Sequence, residues 1–104
     1  MKNINSQEEF DSFIKENNLA LVDFYAEWCG PCKRIAPELE IMSEAMTSIS
    51  FAKVNIDNVP ILAESFRIRS IPTMILFKSG DENQRIVGAP PSTQIKEKLI
   101  EFSK

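Results

Sequence analysis

Phe10, Phe13 and Ile14 recur at three- and four-residue spacing behind Ser6 and Glu9, a capping-box pair, and predict a first helix over roughly residues 7–16. Leu19 to Ala26 is continuously apolar apart from Asp23, the pattern of a strand covered on both faces inside a partly parallel sheet. Trp28 to Cys32 follow directly, and then Ile35, Leu39, Met42 and Met46 mark a long second helix that the cysteine segment opens. Pro37 lies within that helix, where it removes one backbone hydrogen bond and predicts a kink. Ile49 to Ile56 reads as another strand, Asp57-Asn58-Val59-Pro60 as a helix start, and Ile61 to Phe66 as a short helix. Thr73 to Phe77 is a third strong strand. Ser79-Gly80-Asp81 supplies a turn that returns the chain through Gln84 to Val87, and Ser92 is positioned to cap a last helix carrying Ile95, Leu99 and Phe102. With a weak strand near Lys2 to Ile4, the order is βαβαβα followed by ββα. That order predicts an α/β fold in which a mixed sheet carries helices on both faces.

A length of 104 residues without a proline- or glycine-rich linker predicts one domain over residues 1–104. Apolar residues form 43% of the chain and charged ones 26%, a balance that supports a packed core and argues against disorder. The net charge is −3 and the lysines and arginines are scattered, so nucleic acid is not an expected partner. The longest apolar run is too short and too polar to cross a bilayer, and Met1-Lys2-Asn3 leads into no signal-peptide core. A cytoplasmic monomer, away from membranes, is the expectation.

Two cysteines cannot build the multi-bridge framework of a small secreted domain, so the spacing of Cys29 and Cys32 has to carry their meaning. A zinc site within one chain needs four ligands, and the chain has two cysteines and no histidine. Lys33 stands where haem attachment requires histidine, and an iron–sulfur cluster would need two more thiolates. No metal or bound cofactor is expected. A structural staple across two intervening residues closes a loop too small to remove much unfolded-chain entropy. Dithiol–disulfide exchange is the chemistry this spacing favours, with zinc shared between two chains and an inert pair as the remaining alternatives. Cys29 at the mouth of the second helix faces unpaired N–H groups and the positive end of the helix dipole, which favour the thiolate. Cys32, one turn inside, is expected to be less exposed and to act as the resolving thiol. Gly30 lets the backbone pass close to a substrate, and Pro31 is tolerated in the first helical turn.

At Trp28-Cys29-Gly30-Pro31-Cys32 the sequence resembles the thioredoxin family. The likeness continues through Val22-Asp23-Phe24, Lys53-Val54-Asn55-Ile56-Asp57, Ile71-Pro72-Thr73 and Val87-Gly88-Ala89, in order along the whole chain. The cysteine spacing alone is a weak signal; the five segments together are specific. The resemblance implies a thioredoxin fold with a five-stranded mixed sheet flanked by four helices. It also implies reduction of disulfides in protein substrates through a redox-active Cys29–Cys32 disulfide, and recycling by thioredoxin reductase, a flavoprotein using NADPH. It makes Cys29 the nucleophile, Cys32 the resolving cysteine and Asp23 the buried carboxylate that handles the proton of Cys32. Lys53 matches the lysine beside that carboxylate, and Pro72 the cis-proline whose loop lies against the disulfide. Trp28, Ile56, Ile71, Gly88 and Ala89 match the rim of a substrate groove. Taken alone, Asp23 would more often be a structural aspartate satisfied by hydrogen bonds, Lys53 a solvated strand lysine, and a single Trp or Ile ordinary packing.

Three positions depart from the family's pattern. Arg67 stands where many members have glycine, and a left-handed backbone there would cost about 1 kcal/mol. Tyr25 replaces a tryptophan, and Pro90-Pro91 stiffens the segment after the groove; neither is expected to touch the redox pair. A thiol oxidant or isomerase of the same fold is the nearest rival activity, but Gly30-Pro31 provides no cation to stabilise the thiolate further. Glutaredoxin is disfavoured by the dipeptide between the cysteines, and a thiol-independent scaffold role stays open.

Overall fold

The computed structural model describes residues 1–104. Its elements are β1 (Lys2–Asn3), α1 (Gln7–Glu16), β2 (Leu19–Tyr25), α2 (Gly30–Ala45), β3 (Ser50–Asn55), α3 (Pro60–Ser65), β4 (Thr73–Lys78), β5 (Asp81–Val87) and α4 (Ser92–Phe102). The five strands form one sheet in the order β1-β3-β2-β4-β5. β3 runs parallel to both β1 and β2, while β4 runs antiparallel to β2 and β5, so the sheet is mixed.

Side-chain alternation in the central strands divides the core in two. Ala20, Val22 and Phe24 of β2, with Ile75 and Phe77 of β4, pack beneath Phe10 and Phe13 of α1 and Leu62 of α3. Leu21 of β2, with Met74 and Leu76 of β4, packs beneath Ile35, Leu39 and Met42 of α2 and Ile95, Leu99 and Phe102 of α4. Successive residues of an apolar run thus serve different helical layers, which is why β2 is apolar almost throughout. Phe66, just beyond α3, ties the first layer together, its ring 5.3 Å from that of Phe10 and 5.6 Å from that of Phe77.

Local chemistry sets most element ends. The Ser6 side chain accepts the Glu9 N–H and caps α1 as its spacing predicts. α2 stays a single helix across Pro37. Ser79 and Gly80, at φ 54° and 83°, form the two-residue reversal between β4 and β5. α4 differs from expectation: its N-cap is Pro91, no side chain caps it, and Ser92 is already the first helical residue. Proline at the cap already supplies the extended backbone that a helix entry needs, which displaces the serine inward. Short differences at strand ends leave Ile49 and Ile56 just outside β3 and Ala26 just outside β2.

Candidate active site

The site lies where β2 and β3 end and α2 begins. Cys29 is the N-cap of α2, and its Sγ accepts the Cys32 N–H at 3.2 Å. A sulfur so placed satisfies one of the donors that a helix start leaves unpaired, and it sits in the positive field of the helix terminus. Cys29 and Cys32 are joined as a disulfide with Cα atoms 5.2 Å apart. In this oxidised form both are buried, 4% and 3% exposed, so exposure does not separate them as expected. Their positions do: Cys29 Sγ lies 3.8 Å from the Ile71 carbonyl oxygen, while Cys32 lines a cavity with Asp23 and Tyr25 of β2.

Asp23 is buried on the α2 side of the sheet, and its Oδ1 has no hydrogen-bond partner. Burial pushes its carboxyl up to about 7 against an opposing pull from the Lys53 ammonium. Parallel pairing places Lys53 of β3 directly opposite Asp23 of β2. A cavity of about 130 Å³ joins these groups, lined among others by Asp23, Lys53, Tyr25, Glu27, Lys33 and Cys32. It is large enough to admit water between the carboxyl and the inner cysteine. Tyr25 also packs against the cluster of Ala26, Cys29 and Cys32, which corrects the expectation that it stands clear of the redox pair. Its period-two relation to Asp23 puts it on the same sheet face, a consequence of strand geometry that the sequence already contained.

The rim residues converge from separate loops. Trp28 is 69% exposed, and its Nε1 donates to Asp57 Oδ2 at 2.9 Å. Ile56 and Ile71 pack against the two cysteines. The Ile71–Pro72 peptide is cis, and the Pro72 carbonyl accepts the Gly88 N–H at 2.7 Å. Gly88 has φ 85°, a conformation that favours glycine, and so brings Ala89 round toward α2. The Ala89 carbonyl there accepts a hydrogen bond from Arg34 Nη2 at 3.2 Å. Gly30 has open space where a side chain would stand, and Pro31 lies exposed beside it. Asp57 and Arg34 were not singled out from sequence. Asp57 closes a segment matched to the family, but its partner Trp28 is 29 residues away, and no local pattern pairs them.

No three His, Cys, Asp or Glu side chains gather as a metal-holding group, and no helix is long and apolar enough to cross a membrane. Two wider hollows beside α1 share no residue with the cysteine site.

A family model described as Thioredoxin matches residues 2–101. The chain is 50% identical to the Thioredoxin of Chlamydia caviae over 85% of each protein. It spans about half of a longer relative, 54% of the Thioredoxin-2 of Pyricularia oryzae, at 41% identity over 88% of its own length. It is also 49% identical over 77% of its length to 18% of the Bifunctional thioredoxin reductase/thioredoxin of Mycobacterium leprae. A solved structure of Plasmodium falciparum thioredoxin superimposes with a TM-score of 0.94 at 42% identity, covering 98% of this chain and 99% of that one.

Proposed function

The chain belongs to the thioredoxin family and carries its redox-active disulfide, and from that premise we propose that it works as a cytoplasmic, monomeric reductant of protein disulfides, recycled by an NADPH-dependent thioredoxin reductase. The single observation that carries the mechanism is the Cys29 sulfur at the start of α2, accepting the Cys32 N–H. Once the pair is reduced, the same N–H and the helix field lower the cost of a thiolate at Cys29.

That thiolate attacks one sulfur of a target disulfide. A bond forms between Cys29 Sγ and the target sulfur, and the other target sulfur leaves as a thiolate. The rim of Trp28, Ile56, Ile71, Gly88 and Ala89 receives the target backbone and its apolar side chains around this bond. Asp23, pushed up to about 7 and so partly ionised near neutral pH, lines the same cavity as Cys32 and in its ionised form takes the Cys32 proton. The Cys32 thiolate then attacks Cys29 Sγ, restoring the Cys29–Cys32 disulfide and releasing the second target thiolate. Two electrons pass from the chain to the target. Their return requires a dithiol of a reductase, and support for such a partner comes from the relative whose name joins thioredoxin reductase to thioredoxin in one protein. The cytoplasmic placement is supported by the same chemistry, since a reductant acts where thiols are kept reduced.

A Cys32→Ser variant should capture target proteins as stable mixed disulfides through Cys29, because attack remains possible and resolution does not. Cys29→Ser should capture few or none. Trapping from a reduced cytoplasmic extract, followed by mass spectrometry, measures this. Equal recovery from the two variants would show that Cys29 is not the nucleophile.

A further inference from the structure

Lys53 makes no ion pair with any carboxylate, although it stands directly across the strand pair from Asp23. A lysine ammonium on a flexible four-carbon stem is strongly hydrated and, left free, spends its time in water away from a buried neighbour. Here its Nζ lies 5.5 Å from the centroid of the Tyr25 ring, within the range over which an aromatic face attracts a cation. Tyr25 is two residues beyond Asp23 in β2 and therefore on the same face, and its cross-strand partner is Asn55. Tyr25, Lys53, Asp23 and Cys32 all line one cavity.

We propose that Tyr25 is a positioning residue for the thiol chemistry, its ring holding the Lys53 ammonium at the edge of the Asp23–Cys32 cavity and so setting how strongly that charge acts on the carboxyl. This role rests on Asp23 being the proton acceptor of Cys32. The titratable residues that line the cavity with Asp23 are Tyr25 and Glu27 from β2 and the loop after it, Lys53 from β3, and Cys32 and Lys33 from α2. β4 contributes Met74, which does not titrate, as the antiparallel partner of Asp23. Among these, Lys53 is the cation that the ring contacts and the one whose charge favours ionised Asp23. Losing the ring lets the ammonium move into water, weakens that pull, and raises the pH at which Asp23 becomes available to take a proton from Cys32.

The test is the titration of the Asp23 carboxyl carbon, followed by NMR in the oxidised protein. Oxidised protein has no thiol, so the outcome is independent of whether disulfide exchange runs as proposed, which the trapping experiment decides separately. Tyr25→Met keeps apolar bulk without an aromatic face, and should raise the Asp23 midpoint by about half a pH unit. Tyr25→Phe keeps the face and should leave the midpoint unchanged. Lys53→Met should raise the midpoint by itself, and adding Tyr25→Met to it should produce no further rise. A midpoint that does not rise in Tyr25→Met, that rises as much in Tyr25→Phe, or that rises equally when Lys53 is absent overturns the proposal.

Discussion

Asp23 is the residue at which folding and chemistry conflict. Its carboxyl titrates at about 7 in the folded chain, against 3.8 for the ordinary group, because burial removes water from the charged form. The folded state therefore binds more protons than the unfolded one between these values, and stability falls as pH rises through that window. Integrated over the shift, the loss is about 4 kcal/mol, all of it incurred by slightly alkaline pH. Asp23→Asn cannot ionise, so its advantage over the parent should grow from pH 4 to pH 8, as read by urea unfolding of the oxidised forms. An equal difference at both pH values would mean that the residue acts through packing and not through charge. The candidacy of Asp23 was legible locally, as one ionisable side chain in an apolar strand. Lys53 was not, and entered only through resemblance, because what matters is the register of β3 against β2.

Among the elements, α3 shows a local preference overridden by its surroundings. The Ile68 N–H bonds the Ala63 carbonyl at 2.9 Å and the Arg67 N–H bonds the Glu64 carbonyl at 3.0 Å, the paired closure of a Schellman motif. The motif needs a left-handed residue at its hinge, and Arg67 fills it with φ 52°, as the family comparison of that position implied. Ile68 then packs on the aromatic layer with Phe66, and this burial holds the arginine in place. Arg67→Gly relieves the strained backbone and should stabilise the protein by about 0.5–1 kcal/mol, part of the relief being offset by the greater freedom of glycine in the unfolded chain. Chemical denaturation checks this, and a destabilised variant would show that the arginine side chain contributes more than its backbone costs. The start of α4 departs from its local preference for a related reason: serine is a good cap in isolation, but Pro91 ahead of it sets the entry.

For the whole molecule, two apolar layers share one sheet, so they should unfold together. Ile75 belongs to the layer beneath α1 and α3, and Ile95 to the layer beneath α2 and α4. Ile75→Val and Ile95→Val should each cost about 1 kcal/mol, and the double variant their sum, because the two side chains occupy separate layers. One unfolding transition, coincident by near- and far-ultraviolet circular dichroism, is expected for all three; separate transitions would show the layers to be independent. Neighbours along the chain are enough to fix the order of elements and the double-sided burial of β2, because both follow from periodicity, and the two-residue spacing of the cysteines favours thiol exchange. The tertiary structure supplies the register that sets Lys53 opposite Asp23, and it brings Tyr25 to both Lys53 and the cysteines, Asp57 to Trp28 and Arg34 to Ala89. Each of these pairs spans separate segments, and only strand register and helix packing bring their side chains within a few ångströms.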